Sequence, residues 1–283
     1  MLDLAEVPLA DLPRPLTGQG AALIFEKPSA RTRHSMEMAV VQLGGHPVFT
    51  RGEEVGFDIR EPVEDVARIM EGFHALIAAR VYDHSTITRL AAVATVPVVN
   101  MLSDHSHPLQ AFADALTMRQ HLGDLAGQTV AYVGDYNNVA RSLAEISARL
   151  GMHIRLACPL GFEADDAEID RILLLGAASV EQGNRPIEMV VGAHAVHTDT
   201  WVSMGEEEDK EAKRQKFDGF TVDDAMMDAA GPASIFMHCL PAYRGFEVTA
   251  SVIDGPRSAV FQQGHNRMHA ARGALAFLMG VET

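Results

Sequence analysis

Short apolar runs alternate with helical stretches along almost the whole chain, and this alternation constrains the fold more than any other feature. Buried-strand patterns fall at 21–25, 47–50, 75–79 and 97–100. The first is followed by a helical pattern with Met36, Ala39, Val40 and Leu43 on one face, closed by Gly44 and Gly45. Further helices are predicted at 63–73, 85–95 and 110–122, and the charged, glycine-bearing stretch 51–62 is predicted as a loop. The segment GDLAGQ at 123–128 has the composition of a hinge, and a second cycle follows it. That cycle has predicted strands at 129–133, 153–157, 189–192, 234–238 and 258–261, and helices at 138–150, 164–175 and 265–279. Two runs of strand–helix alternation imply an α/β fold of two doubly wound domains with parallel sheets, 1–122 and 123–283. The length of 283 residues fits two domains of ordinary size.

Charge and cysteine content narrow the functional classes. The net charge of −15 argues against nucleic acid as a partner, since such a surface would be basic. It leaves room for a small anion held by a local arginine cluster. Two cysteines, Cys158 and Cys239, make no disulfide framework and favour a reducing compartment. The opening MLDLAEVPLADLPR is acidic and broken by proline, unlike a signal peptide, and no apolar run is long enough for a membrane span. These features predict a cytoplasmic protein without a membrane partner. The most charged run, 206–216, reads as a solvated helix.

Four motifs follow strands, where open α/β sheets place ligands. The first is Ser29-Ala30-Arg31-Thr32-Arg33. Ser29 is a good helix cap, and the free N–H groups of the first turn favour an anion, with Arg31, Arg33 and the Thr32 hydroxyl adding charge and a donor. A capped surface helix fits the same residues about equally well. The second is His107-Pro108-Leu109-Gln110, where a neutral His could donate to a carbonyl oxygen and a Gln could orient an amide; a His-capped helix start is the plainer alternative. The third is Gly134-Asp135-Tyr136-Asn137-Asn138, which lacks the second and third glycines of a dinucleotide turn and so gives no ground for a nicotinamide cofactor. The fourth is Met237-His238-Cys239-Leu240-Pro241. Along an extended chain His238 would face away from Cys239, which argues against thiol catalysis. With no H-E-x-x-H and the cysteines far apart, no metal site is expected.

Taken in order, FEKPSARTR, HPLQ, GDYNN, DTWVSMG, HCLP and NRMH closely resemble the carbamoyltransferase family, from about Leu23 to Leu278. Within it, Asp199-Thr200-Trp201-Val202-Ser203-Met204-Gly205, the HCLP segment and the Asn137-Asn138 pair are similar to the ornithine-using branch. The resemblance implies transfer of the carbamoyl group of carbamoyl phosphate to the δ-amine of L-ornithine, giving citrulline and phosphate, without cofactor or metal. It implies that Ser29, Ala30, Arg31 and Thr32 bind the phosphate, that Arg80 bridges phosphate and carbonyl, and that His107 and Gln110 hold the carbamoyl group with Arg267. It assigns ornithine to Asn138, Asp199, Ser203 and Met204, with Cys239 and Leu240 near the reacting nitrogen. Closure of the 203–205 loop would exclude water. A homotrimer, and a helix 265–279 that packs back on the first domain, are likewise implied. Three features depart from the pattern: Leu109 stands where this branch usually carries Cys; 51–62 matches poorly, with no residue identifiable as the one usually supplied by a neighbouring subunit; and the stretch before 21–25 is short, so a first helix of the family is expected to be trimmed. The alternatives are a non-catalytic binding protein of the same fold and a carbamoyltransferase for a related amine.

Overall fold

The computed structural model describes residues 1–201 and 210–282. The chain separates into two units, Met1–Leu116 with His265–Thr283, and Thr117–Gly264. In order, the elements of the first unit are α1 (Leu2–Glu6), β1 (Gly20–Phe25), α2 (Ala30–Gln42), β2 (His46–Arg51), α3 (Gly52–Val55), α4 (Val63–Met70), β3 (His74–Arg80), α5 (His84–Val93), β4 (Val98–Leu102) and the start of α6 (Pro108–Leu122). The second unit carries β5 (Thr129–Val133), α7 (Asn138–Arg149), β6 (His153–Ala157), α8 (Asp166–Leu174), β7 (Ser179–Gly183), α9 (Pro186–Met189), β8 (Ala195–Thr198), α10 (Lys210–Lys216), α11 (Asp224–Ala230), β9 (Ile235–His238) and α12 (Ala250–Ile253). The last helix, α13 (Val260–Leu278), begins in the second unit and ends in the first.

Both sheets are parallel throughout. Their strand orders are β2-β1-β3-β4 and β7-β6-β5-β8-β9. Each therefore reverses direction once, between β1 and β3 and between β5 and β8. Loops leave opposite faces at that point and open a crevice at the carboxyl ends of the strands. Strand alternation covers both faces of each sheet. Leu23 and Phe25 join a core with Met36, Leu43, Leu76 and Leu275, while Ala22 and Ile24 join one with Val66, Ile77 and Leu90. In the second unit Val130 and Tyr132 pack with Leu143 and Ile154, and Ala131 and Val133 with Phe217 and Phe236.

The terminal helix is anchored in the first unit by Arg272, which donates to the carbonyls of Ala5 (2.8 Å) and Val7 (2.9 Å). Gly273 lets the two backbones meet: a Cβ there would lie 2.6 Å from the Met1 carbonyl and 2.7 Å from the Ala5 nitrogen. Gly273→Ala should thus displace α1 and cost roughly 1–3 kcal/mol of stability, as overpacking does. Chemical denaturation would measure it, and an unchanged midpoint would refute the close approach.

Several expectations need correction. The segment 189–192 is not a strand: Pro186 starts the short helix α9, Val190 caps it, and the strand lies at β8. The segment 258–261 is not a strand either. Ser258 makes one isolated bridge to Phe236 and Val260 already opens α13. Strand β7 and helix α11 were not anticipated, because β7 is a polar edge strand with no alternation to read. The presumed loop 51–62 contains α3, with Val55 and Phe57 buried. Among the described residues no helix is long and apolar enough to cross a membrane.

Candidate active site

In the first unit the crevice is built by the ends of β1 and β3 and by the starts of α2 and α6. Ser29 caps α2, its hydroxyl accepting from the Thr32 N–H at 3.3 Å. Ala30 and Arg31 occupy the exposed first turn, where backbone N–H groups lack intrahelical partners. Thr32 is buried, and its hydroxyl accepts from two guanidinium groups, Arg80 at 3.2 Å and Arg267 at 2.9 Å. Arg267 also donates to Gln110 Oε1 at 2.8 Å, and Gln110 Nε2 donates to Asp114 Oδ1 at 2.8 Å. Arg80, His107, Gln110 and Arg267 are all buried. Two buried cations and a helix start meet at one hydroxyl, an arrangement whose charge and donors suit a dianion. Arg33 takes no part in it: it pairs with Glu37 at 2.8 Å and lies 3.8 Å from the Phe49 ring centre. Leu109 joins the first-unit core beside Val99 and Met101.

His107 stands at the entrance of α6. Burial, reinforced by Arg267, Arg80 and Lys27, pushes its pKa well below the usual histidine value. The ring is therefore neutral at physiological pH, able to donate one hydrogen bond without repelling the neighbouring cations. Nitrogen chemical shifts of this imidazole should stay those of the neutral ring on acidification well below pH 6.5; titration near 6.5 would contradict the burial.

The second crevice lies between β5 and β8. Asn137 caps α7, its Oδ1 accepting from the N–H groups of Val139 and Ala140, while its Nδ2 donates to Asp199 Oδ2 at 3.1 Å. That bond ties the loop after β5 to the end of β8. Cys239 Sγ donates to the other Asp199 oxygen at 3.0 Å. Asn138, the residue expected here, opens α7 and is half-buried; the positioning role of its neighbour Asn137 was missed, although an Asn directly before a helix is a capping signal. Ser203 and Met204, together with the 203–205 loop, lie outside the described residues.

His238 does not face away from Cys239. A ring nitrogen of His238, Cys239 Sγ and an Asp199 oxygen all lie within 4.8 Å of one another. The chain leaves the extended conformation after β9, with Leu240 at φ 56°, so strand alternation does not carry through. Such a trio could in principle hold a soft cation. However, His238 Nδ1 already accepts from the Leu240 N–H at 2.9 Å, and Nε2 lies 3.3 Å from buried Glu247. The thiol that donates to Asp199 keeps its proton on sulfur, the opposite of a nucleophile's need. Next to this crevice Asp135 pairs with Lys213 at 3.1 Å, and burial raises its pKa to about 6 against the lowering effect of that lysine.

Residues 3–120 match the family model of the aspartate/ornithine carbamoyltransferase carbamoyl-P binding domain, and residues 126–278 that of the Asp/Orn binding domain. The chain belongs to the aspartate/ornithine carbamoyltransferase family. It is 47% identical over 270 residues to an ornithine carbamoyltransferase of Acidothermus cellulolyticus, covering 94% of this chain and 86% of that one. A Thermus thermophilus ornithine carbamoyltransferase is 46% identical over 281 residues, covering 99% and 91%. Among solved structures, the Pyrococcus furiosus ornithine carbamoyltransferase superposes with a TM-score of 0.93 at 41% identity, covering 99% of this chain and 93% of that one. The two models meet near the boundary between the units at 116–117, but the Asp/Orn match runs on to 278 and so includes Arg267, which lies in the first unit; Ser29, Thr32, Arg80, His107 and Gln110 fall in the carbamoyl-P match, and Asn137, Asp199 and Cys239 in the Asp/Orn match.

Proposed function

We propose that this protein transfers the carbamoyl group of carbamoyl phosphate to the δ-amine of L-ornithine, forming citrulline and phosphate in arginine metabolism. The observation that carries this reading is the pairing of a cationic crevice holding a neutral histidine with a carboxylate crevice, each at the switch point of its own sheet. Arg31, Arg80, Arg267, the Thr32 hydroxyl and the N–H groups of Ser29 and Ala30 receive the phosphate. Gln110 and His107 hold the carbamoyl group, and His107 donates to its oxygen as negative charge develops there. Asp199 receives an ammonium of ornithine, with Asn138, Ser203, Met204, Cys239 and Leu240 completing that site.

The reaction forms a C–N bond and breaks the C–O bond to phosphate. An amine with a pKa near ~10.4 must first lose a proton to solvent and attack as the free base. The second N–H proton, made acidic as the C–N bond forms, passes to the departing phosphate oxygen. Phosphate is already a good leaving group once the arginines neutralise it, so the chemistry calls for neither redox nor metal assistance. The two free cysteines fit a reducing cytoplasm. Exposed apolar side chains on the first unit, Met38 and Val41 of α2 and Val48 of edge strand β2, fit assembly into a homotrimer. The test is a steady-state assay with ornithine, putrescine, aspartate and acetylornithine side by side. Turnover with ornithine alone is expected; preference for another amine would overturn the acceptor assignment. Light scattering that gave a fully active monomer would overturn the trimer.

A further inference from the structure

Helix α6 is buried along most of its length, yet a stripe of polar residues runs down one side of it: His107 at its entrance, then Gln110, Asp114 and Thr117, all buried. A buried carboxylate is costly unless it does something its neighbours need. Asp114 lies one helical turn beyond Gln110, the spacing at which side chains meet. Its Oδ1 accepts from Gln110 Nε2, while Gln110 Oε1 accepts from Arg267. A primary amide has a donor end and an acceptor end of nearly equal size. Here a carboxylate on one side and a guanidinium on the other allow only one orientation.

We propose that Asp114 is a positioning residue that sets substrate selectivity: by locking the Gln110 amide with its carbonyl toward the anion crevice, it selects an acyl phosphate bearing an NH2 group over one bearing a methyl group. This rests on the reading of the first-unit crevice as the carbamoyl phosphate site. The Thr32 hydroxyl already accepts from both Arg80 and Arg267, whereas the carbonyl of Gln110 accepts from Arg267 alone among these groups and has a second lone pair for a ligand NH2. If the amide flipped, its own NH2 would face both Arg267 and the ligand's NH2, and the selective contact would become repulsive. A methyl-bearing ligand makes no hydrogen bond to lose in either orientation.

The test uses two stable, non-hydrolysable ligands that differ only at that position, phosphonoacetamide and acetonylphosphonate, titrated calorimetrically into the intact protein. The wild type should bind the amide tightly and the ketone more weakly. Asp114→Asn offers the Gln110 amide a donor as well as an acceptor, so both orientations become possible; amide affinity should fall about 3- to 10-fold. Asp114→Leu removes the acceptor and should lower it roughly 10- to 100-fold. In both variants the affinity for acetonylphosphonate should change less than about twofold, which no merely structural role would produce. Equal weakening of both ligands in the Asn variant, or amide affinity unchanged there and in the Leu variant, overturns the proposal. If the Leu variant does not fold, the Asn variant alone decides. A wild type that binds neither ligand, or binds both equally, would point instead to failure of the carbamoyl phosphate reading, and the selectivity proposal would fall with it.

Discussion

Asp199→Asn should lower kcat/KM for ornithine by about 2–5 kcal/mol, roughly 30-fold to several thousand-fold. Asp199 is buried and receives hydrogen bonds from Asn137 and Cys239 on its two oxygens. Those donors fix the carboxylate in place before any ligand arrives, so an ammonium meets an oriented partner at little entropic cost. The Asn variant keeps the shape but loses the charge. One of its two terminal atoms also becomes a donor, which would oppose either the Asn137 amide or the thiol. The loss should therefore appear in the ornithine KM as well as in kcat. Initial rates at saturating carbamoyl phosphate would measure both, and near-normal values would remove Asp199 from the site.

Arg267→Ala should be at least as damaging, lowering kcat/KM by about 3–5 kcal/mol. Arg267 is buried and holds two partners at once, Thr32 and Gln110. Its removal takes a cation from the phosphate, frees the Gln110 carbonyl, and leaves the Thr32 hydroxyl with Arg80. A second consequence follows from His107. Burial is the main cause of its lowered pKa and Arg267 the next, so the variant's imidazole should titrate at a higher pH than the wild type's. A shift in that direction, seen by NMR, would separate loss of local charge from general unfolding. Arg267→Lys restores the charge but not the forked geometry, and should recover only part of the activity.

The sequence carried the architecture where strands are buried on both faces. Stretches such as 21–25, 75–79 and 129–133 are near-continuous apolar runs, and the structure places β1, β3 and β5 there. It failed at the sheet edge, where β7 is polar and half-exposed, and where a proline-initiated turn imitated a strand at 189–192. Four motifs after buried strands were conspicuous, two in the first unit at 29–33 and 107–110 and two in the second at 134–138 and 237–241. What could not be read was how they join. Thr32, Arg80 and Arg267 lie up to 235 positions apart and meet only through the parallel sheet and the returning α13. Asn137, Glu247 and Asp114 escaped for a related reason: they are ordinary residues in sequence, and only the partner each one faces gives it a task.

The dianion is expected to bind in the first unit and the amino acid in the second. Calorimetric titration of carbamoyl phosphate into the wild type, Asp199→Asn and Arg267→Ala tests it most directly. The wild type and Asp199→Asn should bind carbamoyl phosphate with affinities within about twofold of each other, while Arg267→Ala should lose most of its affinity. If Asp199→Asn loses carbamoyl phosphate while Arg267→Ala retains it, the two crevices have been given each other's ligands and the account is wrong.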